Sequence, residues 1–83
     1  MKVTILYFAV SREAVGKSQD DVELADDCTS HSLLQLLTAT YPRLESVMKS
    51  CVFAINQEYV PLSENMALKD GDEIAIIPPL SGG

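Results

Sequence analysis

Few groups in this sequence are equipped for chemistry. They are two thiols, Cys28 and Cys51, one imidazole, His31, carboxylates that come partly in adjacent pairs, and the α-carboxylate that follows "PPLSGG". A cysteine nucleophile needs a base to hold it as thiolate, and the single histidine would have to serve. His31 follows Cys28 within "CTSHS", but neither thiol stands at a spacing that marks a known dyad. The imidazole reads instead as a solvated group near a helix start. The acid pairs Asp20-Asp21, Asp26-Asp27 and Asp72-Glu73 offer no better case. Neighbours on a strand point to opposite faces, and in loops such pairs are ordinarily solvated. No calcium-loop pattern, phosphate-cradling glycine run or paired-cysteine metal motif is present in the sequence. No metal site and no self-contained catalytic pocket are therefore expected.

The tail is the remaining candidate. Pro78 and Pro79 lack an amide proton, so they stop a strand ladder and favour an extended path away from the body. Leu80 is an apolar residue on that arm, which suits reception by a partner. Ser81, Gly82 and Gly83 make the slimmest of endings, and the two glycines, without Cβ atoms, fit a channel too narrow for other residues. The group at the tip is the Gly83 carboxylate. With an unperturbed pKa of about 3.3–3.7 it is an anion at neutral pH and a poor electrophile. It needs activation, for instance as an acyl-adenylate, before a nucleophile attacks it.

Such an arm needs a body to launch it. The chain has 83 residues, one domain at most, and at this size roughly 60–65% of the unfolded surface is buried on folding. We expect a domain over 1–77 and an extended tail over 78–83. A net charge of −6 opposes nucleic acid or an anionic membrane as partner and favours a basic protein surface. Two cysteines are too few for a disulfide scaffold, and a reducing cytosol is the economical location. Cys51 opens an apolar run and reads as buried, while Cys28 reads as exposed in a polar loop.

The opening "KVTILYFA" reads as a first strand, not a signal peptide, because no small-residue cleavage site follows it. It is apolar on both faces, so either Leu6 and Phe8 or Ile5 and Tyr7 must meet something other than the core. "SREAVG" reads as a helical turn closed by Gly16. "SQDDVELADD" reads as a polar strand with Val22 and Leu24 inward, followed by an acidic loop. From Thr29 or Ser30 to Tyr41 the period becomes helical, with Leu33, Leu36, Leu37 and Tyr41 as one stripe, and Ser32 with Gln35 at capping-box spacing. Pro42 ends this helix, and "RLESVMKS" adds a turn. "CVFAIN" is a third strand, "QE" a turn, "YV" a short strand, "DG" a tight turn, and "EIAII" the last strand. One helix must cover one face of a small mixed sheet. With the last strand beside the first, the architecture is α+β, the β-grasp or ubiquitin-like fold.

The stretches "ILYFAVSREAVG", "FAINQEYV" and "DGDEIAIIPPLSGG" closely resemble the small-subunit family of molybdopterin synthase, ubiquitin-like sulfur carriers of molybdenum cofactor biosynthesis. The resemblance runs over essentially the whole chain, with 17–50 matching mainly in pattern. Carriers of thiamin synthesis and the ubiquitin-related modifier also end in Gly-Gly, but as a rule lack this acidic turn, Pro-Pro and Ser-Gly-Gly. The resemblance implies that an E1-like adenylyltransferase and sulfurtransferase, using ATP and Mg²⁺, adenylates Gly83. Sulfur from a persulfide donor then replaces AMP and leaves a thiocarboxylate. It further implies a heterotetramer with the synthase large subunit, whose active site the tail enters to give sulfur to cyclic pyranopterin monophosphate. The chain itself is then a non-catalytic subunit with no tightly bound cofactor. Its partner-facing patch, by the same resemblance, is Phe8, Tyr59 and Ile77, beside Pro78, Pro79, Leu80, Ser81, Gly82 and Gly83.

Three other readings share these features. A ubiquitin-like modifier would end in an isopeptide bond from Gly83 to a target lysine, and a carrier for thiamin or tRNA thiolation would differ only in its acceptor. A plain β-grasp interaction module would leave the tail idle.

Overall fold

The computed structural model describes residues 1–78. Within them the elements run β1 (Lys2–Tyr7), α1 (Val10–Val15), β2 (Gln19–Glu23), α2 (Ser30–Thr40), α3 (Leu44–Met48), β3 (Val52–Ile55), β4 (Glu58–Val60) and β5 (Glu73–Ile77). The strands form one mixed sheet in the order β2-β1-β5-β3-β4. β5 runs parallel to β1, with Ile5 opposite Ile74, and antiparallel to β3, with Phe53 opposite Ile76. The β-grasp architecture and the central place of the last strand are as the sequence predicts.

Period-two alternation decides the faces. Val3, Ile5 and Tyr7 of β1, Ile74 and Ile76 of β5, and Phe53 and Ile55 of β3 are all buried on one side. Leu33 and Leu37 of α2 close over them with Leu44 and Met48 of α3. Each such side chain contributes about 1.5–3 kcal/mol by leaving water. The predicted stripe on α2 is corrected in one position: Leu36 is exposed and Leu34 packs against the core in its place. The stripe centres near Leu37, and Leu36, one residue away, lies about 100° round the helix.

Local chemistry fixes the ends. Thr29 is the N-cap of α2, its side chain accepting the Ser32 N–H at 3.3 Å. The predicted box of Ser32 with Gln35 is thus displaced by a turn, and Ser32 is the residue being capped. Gly16 closes α1 in the left-handed region at φ 86° and donates to the Arg12 carbonyl at 2.8 Å. The β3–β4 turn is made by Asn56 and Gln57, both at positive φ (51° and 71°), as a two-residue hairpin requires. It therefore lies one residue before the predicted "QE". The Asn56 amide braces it, donating to Asp72 Oδ1 at 2.9 Å and accepting the Glu73 N–H at 3.0 Å.

Candidate functional site

The parallel pairing of β1 and β5 sends both strands out of the same end of the sheet. Tyr7 sits opposite Ile76, so the next residues, Phe8 and Ile77, emerge side by side on the face opposite the helices. Alternation places Leu6, Ala75, Ala54, Val52 and Tyr59 on this outer face too. The register strings Leu6, Ala75, Ala54 and Tyr59 across one row and sets Val52 opposite Ile77 in the next. Phe8 is 46% and Tyr59 52% exposed, and Ile77 is half-buried. The structure thus brings the three predicted patch residues onto one apolar outer face and adds the half-buried Val52, with Ala54 and Ala75 on the same face but buried beneath their neighbours. Sequence reading missed these three because an apolar run such as "CVFAI" does not say which residues face the helices.

β5 ends at Ile77, and Pro78 is exposed. The expectations for Pro79, Leu80, Ser81, Gly82 and Gly83 fall outside the described residues. At the strand end, Phe8 donates its N–H to the Ile76 carbonyl at 3.3 Å. The chain then turns through Ala9, at φ 52° and ψ −126°. These are the angles of the first central residue of a type II′ turn, usually glycine, and for alanine they cost about 1–3 kcal/mol. The turn is closed by Ser11, whose N–H donates to the Phe8 carbonyl at 3.1 Å.

The other candidates resolve into structural roles. His31 Nε2 lies 2.9 Å from the Leu62 carbonyl, and its backbone N–H donates to Asn65 Oδ1 at 3.1 Å. It ties the loop after β4 to the start of α2, which corrects the solvated reading. Cys51 is buried, and Cys28 is partly buried where exposure was expected. Burial pushes both thiols up, and for Cys28 the Asp27 charge adds to it. Both therefore stay protonated at neutral pH and are poor nucleophiles.

The acid pairs are less idle than expected. Asp20, on the inner face with Val22, accepts the Tyr41 hydroxyl at 2.7 Å and the Tyr7 hydroxyl at 3.4 Å. Lys17 stands 3.6 Å from the same carboxylate and lies over the Tyr41 ring. Burial, followed by the Asp20 charge, raises the pKa of Tyr7. Asp72 is buried and accepts the Lys69 N–H at 2.8 Å as well as the Asn56 amide. An open groove of about 470 Å³ runs between α2, α3 and Leu62, on the side of the sheet away from Phe8. Among the described residues no group of His, Cys, Asp and Glu is placed to hold a metal, and no helix is long and apolar enough to cross a membrane.

The chain is thus a small five-stranded β-grasp protein with an apolar outer face beside its strand exit. The ThiS family model matches residues 5–83, and the chain belongs to that family. Within it, the chain is similar to the molybdopterin synthase sulfur carrier subunit of Chlamydomonas reinhardtii, 55% identical over all of both chains. Among solved structures, the small archaeal modifier protein SAMP1 of Haloferax volcanii superposes with a TM-score of 0.82 at 30% identity, covering all of both chains. A complex of subunits 1 and 2 of the molybdopterin-converting factor of Helicobacter pylori holds a chain matching with a TM-score of 0.66 at 25% identity, again over all of both.

Proposed function

We propose that the chain is a sulfur carrier of molybdenum cofactor biosynthesis whose working group is the Gly83 carboxylate. The observation that carries this reading is the 55% identity, without truncation on either side, to a molybdopterin synthase sulfur carrier subunit. Geometry adds support: the strand leading to the tail is pinned on both sides and leaves the sheet next to the apolar outer face. In this reading an E1-like enzyme adenylates Gly83 with ATP and Mg²⁺. Sulfur from a persulfide donor displaces AMP, and the thiocarboxylate is carried to the synthase large subunit. Phe8, Tyr59 and Ile77 dock there, while 78–83 reach into the large subunit's active site. Sulfur then passes to cyclic pyranopterin monophosphate. The similarity to a chain solved with its subunit 2 favours a large-subunit partner. Free thiols at Cys28 and Cys51 suit a reducing cytosol.

The test is reconstitution with a large synthase subunit, activating enzyme, sulfur source and pterin precursor. Formation of the dithiolene is expected, and its absence under conditions where a known carrier succeeds overturns the reading. A protein-modifier function is favoured by the likeness to SAMP1. Mass spectrometry of the chain isolated from cells separates the two: a carrier shows one oxygen replaced by sulfur, a modifier shows conjugates of higher mass.

A further inference from the structure

Ser11 is fully buried. The other buried polar side chains among the described residues, Ser30 and Asp72, tie loops together. Ser11 instead sits where β1 and β5 both leave the sheet. Its hydroxyl donates to the Phe8 carbonyl at 2.7 Å and accepts the Phe8 N–H at 3.0 Å, and the Ile76 carbonyl lies 3.3 Å away. A hydroxyl has one proton to give, and the shorter contact assigns it to Phe8. The Ser11 hydroxyl thus reinforces both backbone groups of Phe8, whose N–H also reaches the Ile76 carbonyl at 3.3 Å and whose carbonyl also accepts the Ser11 N–H at 3.1 Å. The same oxygen abuts the last carbonyl before Ile77, the residue from which Pro78 departs. Directly after Phe8, Ala9 holds backbone angles that survive only where the surroundings over-determine them.

We propose that Ser11 is a positioning residue for partner docking: it fixes the direction in which Phe8 meets the partner. Ser11 touches no reacting atom and acts through Phe8. The inference rests on the sulfur-carrier reading, with Phe8 in the docking face.

The test compares binding of a molybdopterin synthase large subunit, by titration calorimetry, to the parent chain, Ser11→Ala, Phe8→Ala and the double variant. Ser11→Ala is expected to weaken binding about tenfold, the equivalent of one lost neutral hydrogen bond. In the Phe8→Ala background the same change is expected to cost less than about twofold, because distant or disconnected effects would simply add. Ile55→Val, in the core next to the β3–β4 turn, supplies a stability loss without touching this corner and is expected to bind like the parent. Should Ser11→Ala fail to fold, Ser11→Cys keeps the shape with a weak donor and carries the same measurement. Parent-like binding by the Ser11 variant, or an equal loss with and without the Phe8 ring, overturns the inference and leaves the sulfur-carrier reading intact. A parent chain that does not bind the large subunit overturns that reading and the inference with it.

Discussion

Phe8→Ala is the sharpest probe of the outer face. An aromatic side chain buries roughly 150–250 Å² when covered. Phe8 is 46% exposed, so a partner that covers it removes about 70–115 Å² of apolar surface from water. At about 25 cal/mol per Å² this gives about 2–3 kcal/mol. The alanine retains its Cβ, which brings the expected loss to about 2 kcal/mol, or about 30-fold in Kd. Aromatic anchors at interface centres fall in the same range on truncation. The free variant also loses the covered half of the ring, so its stability is followed separately from binding. The assay is titration calorimetry against the large synthase subunit, paired with thermal unfolding of the free variant. A Kd within threefold of the parent, for a variant still folded at the assay temperature, would show that the partner does not cover Phe8. The docking assignment would then fail even if the carrier function held.

Four other outcomes follow from the same structure. One residue appended after Gly83 is expected to abolish thiocarboxylate formation, read by mass, while leaving the melting temperature unchanged; an extended chain that still supports dithiolene formation removes Gly83 from the mechanism. Leu33→Ala is expected to cost about 2–5 kcal/mol in urea denaturation, as a fully buried leucine does on truncation, whereas Leu36→Ala should lie within about 0.5 kcal/mol of the parent. Tyr41→Phe deletes the 2.7 Å donor to Asp20 and should cost about 1.5 kcal/mol, the low end for a charged acceptor that water still reaches. The pKa of Tyr7 is raised in the folded state, so its contribution is fully present below the unfolded value near 10 and is lost as pH climbs beyond it. The urea midpoint should therefore fall above about pH 10, and Tyr7→Phe should flatten that fall; an equally steep decline in the variant would assign it to other groups.

Much of this fold is readable from pattern because its cues are local. The helix from Ser30 follows from a hydroxyl cap and a leucine repeat, and "EIAIIPP" announces a strand that stops where prolines deny it an amide. The outer face was legible only as a choice, since a strand apolar on both faces leaves either Leu6 and Phe8 or Ile5 and Tyr7 without a core. Other features depend on register or on distant partners. Ala54 and Ala75 belong to the outer face only because β5 lies between β1 and β3 in one particular alignment. The signal for Asp20 was available, since period two places it with Val22 and Leu24. Its partners, however, come from Tyr7 and Tyr41, 13 and 21 residues away in sequence. Nothing around Ser11 marks it as buried: a serine after a strand and before a short helix is normally on the surface.

The strand order has a consequence for how the molecule comes into being. Among the described residues β5 is the last strand in sequence and the middle one in the sheet. Its pairing with β1 joins Thr4 to Glu73 across nearly the whole sequence, the kind of long-range closure that makes folding slow. Until Ile77 has left the ribosome, β1 with β2 and β3 with β4 are two separate hairpins without a shared centre, and neither is stable alone. A nascent chain broken off before Ile77 lacks the strand that unites them and stays open to proteolysis. Synthesis thereby screens its own product: any molecule that holds its shape has been translated to the threshold of the tail.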